Sequence, residues 1–218
     1  MSLELITEKM ISACKAANIQ VIQPLLQANS LAFQDKDNYG RNFVTQADLE
    51  TELFLKAELS NIGSEANFIA EETAELAKPE GLNWIVDPID GTTNFMHGLS
   101  PACTSIALAN NEELLCGVVF ELFREECFHA WQHGGAYLNG KKICVSRNSS
   151  LTSSLLVTGF PYIQNELFDN WIELYGTEKR KTLEGLEPQL MTCAPILSVD
   201  LMRITNTIST LGMLPLEH

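Results

Sequence analysis

The chain has 218 residues, 45% of them hydrophobic, which is enough for a packed core and leaves room for one large domain or two small ones. A formal charge of −14 argues against a phosphate-backbone partner, which calls for a basic face, so no nucleic-acid partner is expected. No apolar run reaches the length of a membrane span, and the six scattered cysteines, with no CxxC pair, read as buried reduced thiols of a cytoplasmic protein with no membrane partner.

In chain order, MSLELITEKM opens an acidic amphipathic helix rather than a signal peptide. Apolar side chains at Leu3, Ile6, Met10, Ala13, Ala17 and Val21 recur near the helical period and predict a helix over 3–23, ended or kinked by Pro24. Residues 30–44 read as a polar strand or loop pair. Thr45 or Asp48 caps a second helix to about Ser60, with Leu49, Leu53 and Leu59 among its apolar positions. Asn67–Ala70 and Asn83–Val86 are short apolar runs of strand type. From Cys103 to Val145 the pattern is a meander, TSIALAN, LLCGVVFEL, ECFHAW and AYLNGKKICVS, with Asn139-Gly140 as a hairpin turn. Ser149-Ser150-Leu151-Thr152 marks a boundary. The first unit, 1–149, is therefore two helices and a mostly antiparallel sheet, an α+β arrangement. The second, 150–218, opens with the strand LLVTGF and is expected to be α/β, incomplete as it stands.

Four acids stand near strand ends: Glu71 and Glu72 after NFIA, and Asp87 and Asp90 after NWIV. Oxygen-rich clusters of this kind suit Mg²⁺, which binds through a few carboxylates plus substrate phosphate. Pro88 holds the two aspartates so that both can face one site, and the Ile89 carbonyl adds a neutral oxygen. Gly91 allows a close turn, and Thr92 and Thr93 open a helix whose start favours an anion. Carboxylates for a metal beside an anion-binding helix start are what phosphoryl transfer to water requires. Either piece alone reads better as a surface turn or a helix cap; together they outweigh that reading. His129 and His133 lie in a strand-and-turn context without a third ligand, so zinc is not expected. No nucleophile-elbow signal supports Ser-His-Asp chemistry. His97 is expected to pack structurally.

The segments VTQAD (44–48), AEET (70–73), DPIDGTTNF (87–95), HGL (97–99), GVVFEL (117–122) and GAYLNGKKICVS (135–146) resemble the signature segments of the inositol monophosphatase family, over roughly residues 5–161. Ala70 stands where that family usually has glycine. The resemblance implies a layered α/β sandwich of the sugar-phosphatase type and a Mg²⁺-dependent phosphomonoesterase acting on inositol monophosphate or a similar small phosphorylated polyol. It also implies a lithium-sensitive homodimer. By the same resemblance, Glu71, Asp87 and the Ile89 carbonyl hold one ion, and Asp87 bridges to a second shared with Asp90. Glu71 and Thr92 orient and help deprotonate the attacking water, and Asp48 supports the water and Thr92. The Gly91 and Thr92 amides hold phosphate oxygens, and Glu72 contacts a weak third ion with Lys36 nearby. Nucleotide 3′-phosphatases of related sequence carry lysine at the second threonine, so Thr93 points toward the inositol phosphate branch. Fructose-1,6-bisphosphatase or nucleotide 3′-phosphatase activity and a non-catalytic, protein-binding role are the alternatives.

The resemblance also implies a late Trp-Asp-x-Ala-Ala-Gly segment completing the second ion's site, and an earlier Gly-Ser/Thr-Ala-Ala-x-Asp-Leu helix start. Neither is present. Yet Thr210 to Glu217 can be spelled ACC CTT GGG ATG CTG CCG CTG GAG, which regroups from the last base of the first codon to Pro-Trp-Asp-Ala-Ala-Ala-Gly. The same shift lets 199–210 encode RFDAYYEYDLNP and 184–192 encode R-x-G-T-A-A-x-D-L. At ordinary residue usage a random stretch permits the Trp-Asp motif about once in ten thousand positions. The expectation is one insertion or deletion between about 162 and 184, leaving the translated chain impaired.

Overall fold

The computed structural model describes residues 1–28, 33–35, 43–63, 65–72, 81–111 and 113–144. The expectations for 150–218, and the Ser149-Ser150-Leu151-Thr152 boundary, lie outside the described residues.

Helix α1 spans Leu3–Ala17, with the Ser2 hydroxyl accepting from the Leu5 amide at 3.3 Å. Pro24 does not end the helical path. A π-helical turn over Asn18–Ile22 joins α1 to α2, Gln23–Gln27, and the Gln23 N–H bonds back to the Asn18 carbonyl. A proline cannot donate to the preceding turn and its ring crowds the carbonyl there. The wider turn relieves both, and Pro24 falls in the first turn of α2, where a missing N–H costs little.

Strands β1 (Phe33–Asp35) and β2 (Phe43–Thr45) pair antiparallel, as the polar strand pair predicts. Helix α3, Gln46–Ser60, starts at Thr45 in a full capping box. The Thr45 hydroxyl receives the Asp48 amide, and the Asp48 carboxylate receives the Thr45 amide at 2.8 Å. The inward face is Ala47, Thr51, Leu55 and Leu59, four apart, with Asp48 and Glu52 buried along its flank. Of the apolar positions named from the sequence, Leu59 is buried, while Leu49 and Leu53 are 45% and 66% exposed, two residues beyond Ala47 and Thr51 of the inward face.

The main sheet has seven strands in sequence order: β3 (Asn67–Ala70), β4 (Leu82–Asp90), β5 (Cys103–Asn110), β6 (Glu113–Glu121), β7 (Cys127–Trp131), β8 (Gly135–Leu138) and β9 (Lys141–Ile143). All neighbours are antiparallel except β3 and β4, which run parallel with Ala70 beside Val86. Asn139 and Gly140 take φ of 49° and 76°, the left-handed pair that a two-residue hairpin demands. Alternate residues of the sheet (Trp84, Val86, Ile106, Leu108, Cys116, Val118, Phe120) share one core with Met10, Ala13, Cys14 and Ala17 of α1 and Ala47, Leu55 and Leu59 of α3. This α+β layering is what the sequence predicts. Cys14, Cys103, Cys116 and Cys127 are buried as expected, Cys144 is exposed, and Cys193 lies outside the described residues.

Candidate active site

The parallel pairing of β3 with β4 brings both C-terminal strand ends to one edge of the sheet. The Glu71 amide extends the ladder by donating to the Val86 carbonyl at 3.3 Å, so Glu71 and Glu72 leave β3 beside Asp87.

Strand β4 does not stop at Val86, as its apolar run suggests, but continues to Asp90 through a bulge. Asp87 pairs with Ser105 and Asp90 with Cys103, three residues of β4 against two of β5. In a regular strand, residues three apart face opposite ways. Here the extra residue cancels that, because Ser105 and Cys103 lie on one face of β5, and both aspartates follow them. Pro88 sits in the bulge, where it owes no ladder hydrogen bond, and its carbonyl is held by the Thr104 hydroxyl at 2.8 Å.

Gly91 then turns the chain at φ 86°, a left-handed value that glycine adopts without strain, and α4 begins (Thr92–Met96). The Thr92 hydroxyl lies 3.2 Å from Asp48 Oδ1 and 3.1 Å from the Ile89 carbonyl. It has one proton to donate between them. Asp48, only 1% exposed, thus links the α3 start to the β4–α4 turn: its other oxygen accepts from the Thr45 amide and hydroxyl. Burial raises its pKa, and the bonds from Thr45 and Thr92 oppose that rise.

Asp87 is 8% exposed, and its Oδ1 is buried without a hydrogen-bond partner among the described residues. Burial, reinforced by the negative charges of Asp90, Glu71, Asp48 and Glu72, pushes its pKa well up. The described residues thus bring together Asp48, Glu71, Glu72, Asp87, Asp90 and Thr92, with Ile89, Gly91 and Thr93 on the same turn. Lys36 lies outside the described residues. His97, expected to pack, is exposed at the end of α4. His129 stacks with Trp131 and Tyr137 at ring separations of 6.4 and 5.4 Å, while His133 sits in an exposed turn at φ 63°, away from it in direction and setting.

This arrangement coincides with an established family. A model described as the inositol monophosphatase family matches residues 3–199, past residue 161, where the readable motifs end. The chain belongs to the inositol monophosphatase family. An inositol-1-monophosphatase of Rhizobium meliloti is 36% identical over 123 residues, covering 56% of this chain and 46% of that protein. The Nus factor SuhB of Pseudomonas aeruginosa is 32% identical over 174 residues, covering 75% and 61%. The crystal structure of the extragenic suppressor protein SuhB from Bartonella henselae superposes with a TM-score of 0.69 at 29% identity, over 78% of this chain and 65% of that one. An inositol monophosphatase/NADP phosphatase solved with Mg²⁺ and phosphate has a TM-score of 0.60; at 23% identity, over 66% and 54%, it shows the fold alone. The chain spans about half the length of the curated inositol monophosphatases it matches.

An inositol monophosphatase site calls for a divalent cation, and the donors suit one. A buried carboxylate oxygen with no proton donor, among four further acids, is a group that a hard cation satisfies better than water or an amide can. Among the described residues no three such side chains already converge on one point. Asp87 is the buried member of the cluster, Glu71 is exposed and Asp90 is half-buried.

Two contributors escape the motif reading: Thr104, which holds the bulge, and Glu52, 2% exposed, whose Oε2 accepts from the Glu72 amide at 3.2 Å. Glu52 was findable as the acid one helical turn after Asp48.

Proposed function

We propose that this site hydrolyses a small phosphorylated polyol, inositol monophosphate or a close relative, with Mg²⁺ as its cofactor. The observation that carries the reading is the buried Asp87 oxygen, without a hydrogen-bond partner among the described residues and under the influence of four further acids. Glu71, Asp87, the Ile89 carbonyl and Asp90 would hold the ions. When bound, Mg²⁺ supplies positive charge that draws in the phosphoester and makes water a better nucleophile at neutral pH. The Thr92 hydroxyl, held in place by Asp48, and the Glu71 carboxylate orient a water for in-line attack on phosphorus. The Gly91 and Thr92 amides at the turn into α4 face the phosphate oxygens, and the alcohol leaves on the opposite side. The protein acts as a lithium-sensitive homodimer in the cytoplasm, without membrane or nucleic-acid partners.

On this reading the tail is a frame-shifted version of the family's closing segment, which displaces the late Trp-Asp motif and impairs hydrolysis. The test is Mg²⁺-dependent phosphate release from inositol monophosphate by three proteins: this chain, the product of the frame-restored gene, and that product carrying Asp87→Asn. High turnover in the restored protein alone supports the reading. Comparable turnover by the first two overturns the frame-shift, and unimpaired Asp87→Asn overturns the site.

A second reading, a non-catalytic protein-binding homologue, is favoured by the 32% identity to a Nus factor. It predicts that Asp87→Asn abolishes hydrolysis yet leaves the cellular role intact.

A further inference from the structure

Asp48 and Glu52 stand four residues apart on α3, about 6 Å along its axis and on one side of it. Both are buried, at 1% and 2% exposure, and each reaches a different arm of the site. Asp48 receives the Thr92 hydroxyl at the β4–α4 turn, and Glu52 receives the Glu72 backbone amide just past the end of β3. The residue before is held from the other side, because the Glu71 amide donates to the Val86 carbonyl of β4. The Glu71–Glu72 peptide is therefore tied to β4 at one end and to α3 at the other. That fixes the backbone that carries both carboxylates just past the end of β3.

We infer that Glu52 is a positioning residue, which sets where Glu71 and Glu72 stand relative to Asp87 by accepting the Glu72 amide; the inference deepens the cation-site reading above and rests on it. A charged acceptor makes the stronger bond to a backbone N–H, and a buried carboxylate in a site already crowded with acids is otherwise a costly choice. The Glu52 side chain, buried on α3 with Oε2 3.2 Å from the Glu72 amide, ties the helix to the segment that follows β3.

The test uses Glu52→Leu, which keeps volume and helix preference but removes the acceptor, and Glu52→Gln, which keeps an acceptor oxygen and removes the charge. Two readouts are taken on the full 218-residue chain: amide hydrogen exchange at Glu72, without any cation, and Mn²⁺ affinity by titration. Circular dichroism confirms that each variant is folded. Exchange at Glu72 should quicken by about tenfold or more in Glu52→Leu and stay near wild type in Glu52→Gln. Mn²⁺ affinity should fall by about 10- to 100-fold in the first and by about threefold or less in the second. If Glu72 stays protected in Glu52→Leu, the positioning role is wrong. If Glu52→Gln loses as much affinity as Glu52→Leu, Glu52 acts through its charge and the inference is also wrong. If the wild-type chain binds no Mn²⁺, the cation-site reading fails, while the exchange arm still decides whether Glu52 holds Glu72.

Discussion

Replacing Asp87 by asparagine should make the cation-free protein more stable, although it removes the residue on which the proposed chemistry turns. Asp87 is 8% exposed, its Oδ1 has no partner, and Asp90, Glu71, Asp48 and Glu72 all oppose its ionisation. A neutral amide of nearly the same shape ends that repulsion and offers two N–H donors to surrounding carboxylates. Relieving one buried unsatisfied polar group is worth about 1–3 kcal/mol. For a chain of this length that corresponds to a melting temperature about 2–10 °C higher in EDTA. Added Mg²⁺ should reverse the order. A cation at a hundred times its dissociation constant stabilises the wild-type protein by about 2.7 kcal/mol, and the variant, without its anchor, should gain little. Thermal melts of both proteins in EDTA and across a MgCl₂ series measure this directly. A variant destabilised in EDTA by more than about 1 kcal/mol would show that Asp87 is a satisfied structural carboxylate; an equal Mg²⁺ response in both proteins would place the cation elsewhere.

Two further outcomes follow from the packing around this site. Thr45→Ala removes the hydroxyl half of the α3 capping box and one of the groups holding Asp48, so urea denaturation should show a loss of about 1–2 kcal/mol, largely recovered in Thr45→Ser; an unchanged midpoint would mean the cap contributes nothing. Burial raises Cys116 and Cys127 to about 11 from the ordinary 9.0. Below pH 9 both thiols are protonated whether folded or not and give no pH dependence. Above it the unfolded chain ionises first, so stability falls as pH climbs through 11, by up to about 2.7 kcal/mol per thiol. Denaturation at pH 7, 9 and 10.5 should show this slope, and the Cys116→Ala, Cys127→Ala double variant should reduce it, with buried Cys14 supplying part of what remains; an unaltered slope would assign the alkaline loss to other groups.

Much of the architecture was legible because its signals are local. The Thr45–Asp48 spacing states its own capping box, Asn139-Gly140 states its hairpin, and the apolar runs between turn residues mark the meander strands. What stayed hidden depends on distant partners. Pro24 looked like a helix end because the π-helical turn that accommodates it has no residue signature. Leu49 and Leu53 looked buried because hydrophobicity alone cannot show which side of α3 meets the sheet; Ala47 and Thr51, the small residues, permit the close approach instead. For the site, DPIDGTTNF marks the acids but not why they act together. The bulge that turns Asp87 and Asp90 the same way is visible only against the register of β5. Glu52 carries no motif at all, only a helical spacing from Asp48.

One strand pairing decides whether these acids can form a site. Every other adjacent pair in the seven-stranded sheet is antiparallel, and an antiparallel β3 would deliver Glu71 and Glu72 to the edge where β4 begins, at Leu82. Strand β4 covers nine residues, about 30 Å at the usual rise per residue, several times the reach of any carboxylate. The parallel pairing instead sets Ala70 beside Val86, so that the next residue of each strand is an acid, Glu71 and Asp87. Hydrophobic pairing of NFIA with NWIV therefore forces like charges together. Burial and the charges of Asp90, Glu71, Asp48 and Glu72 together raise the Asp87 pKa, so the register of this one strand pair sets the electrostatics of the whole edge.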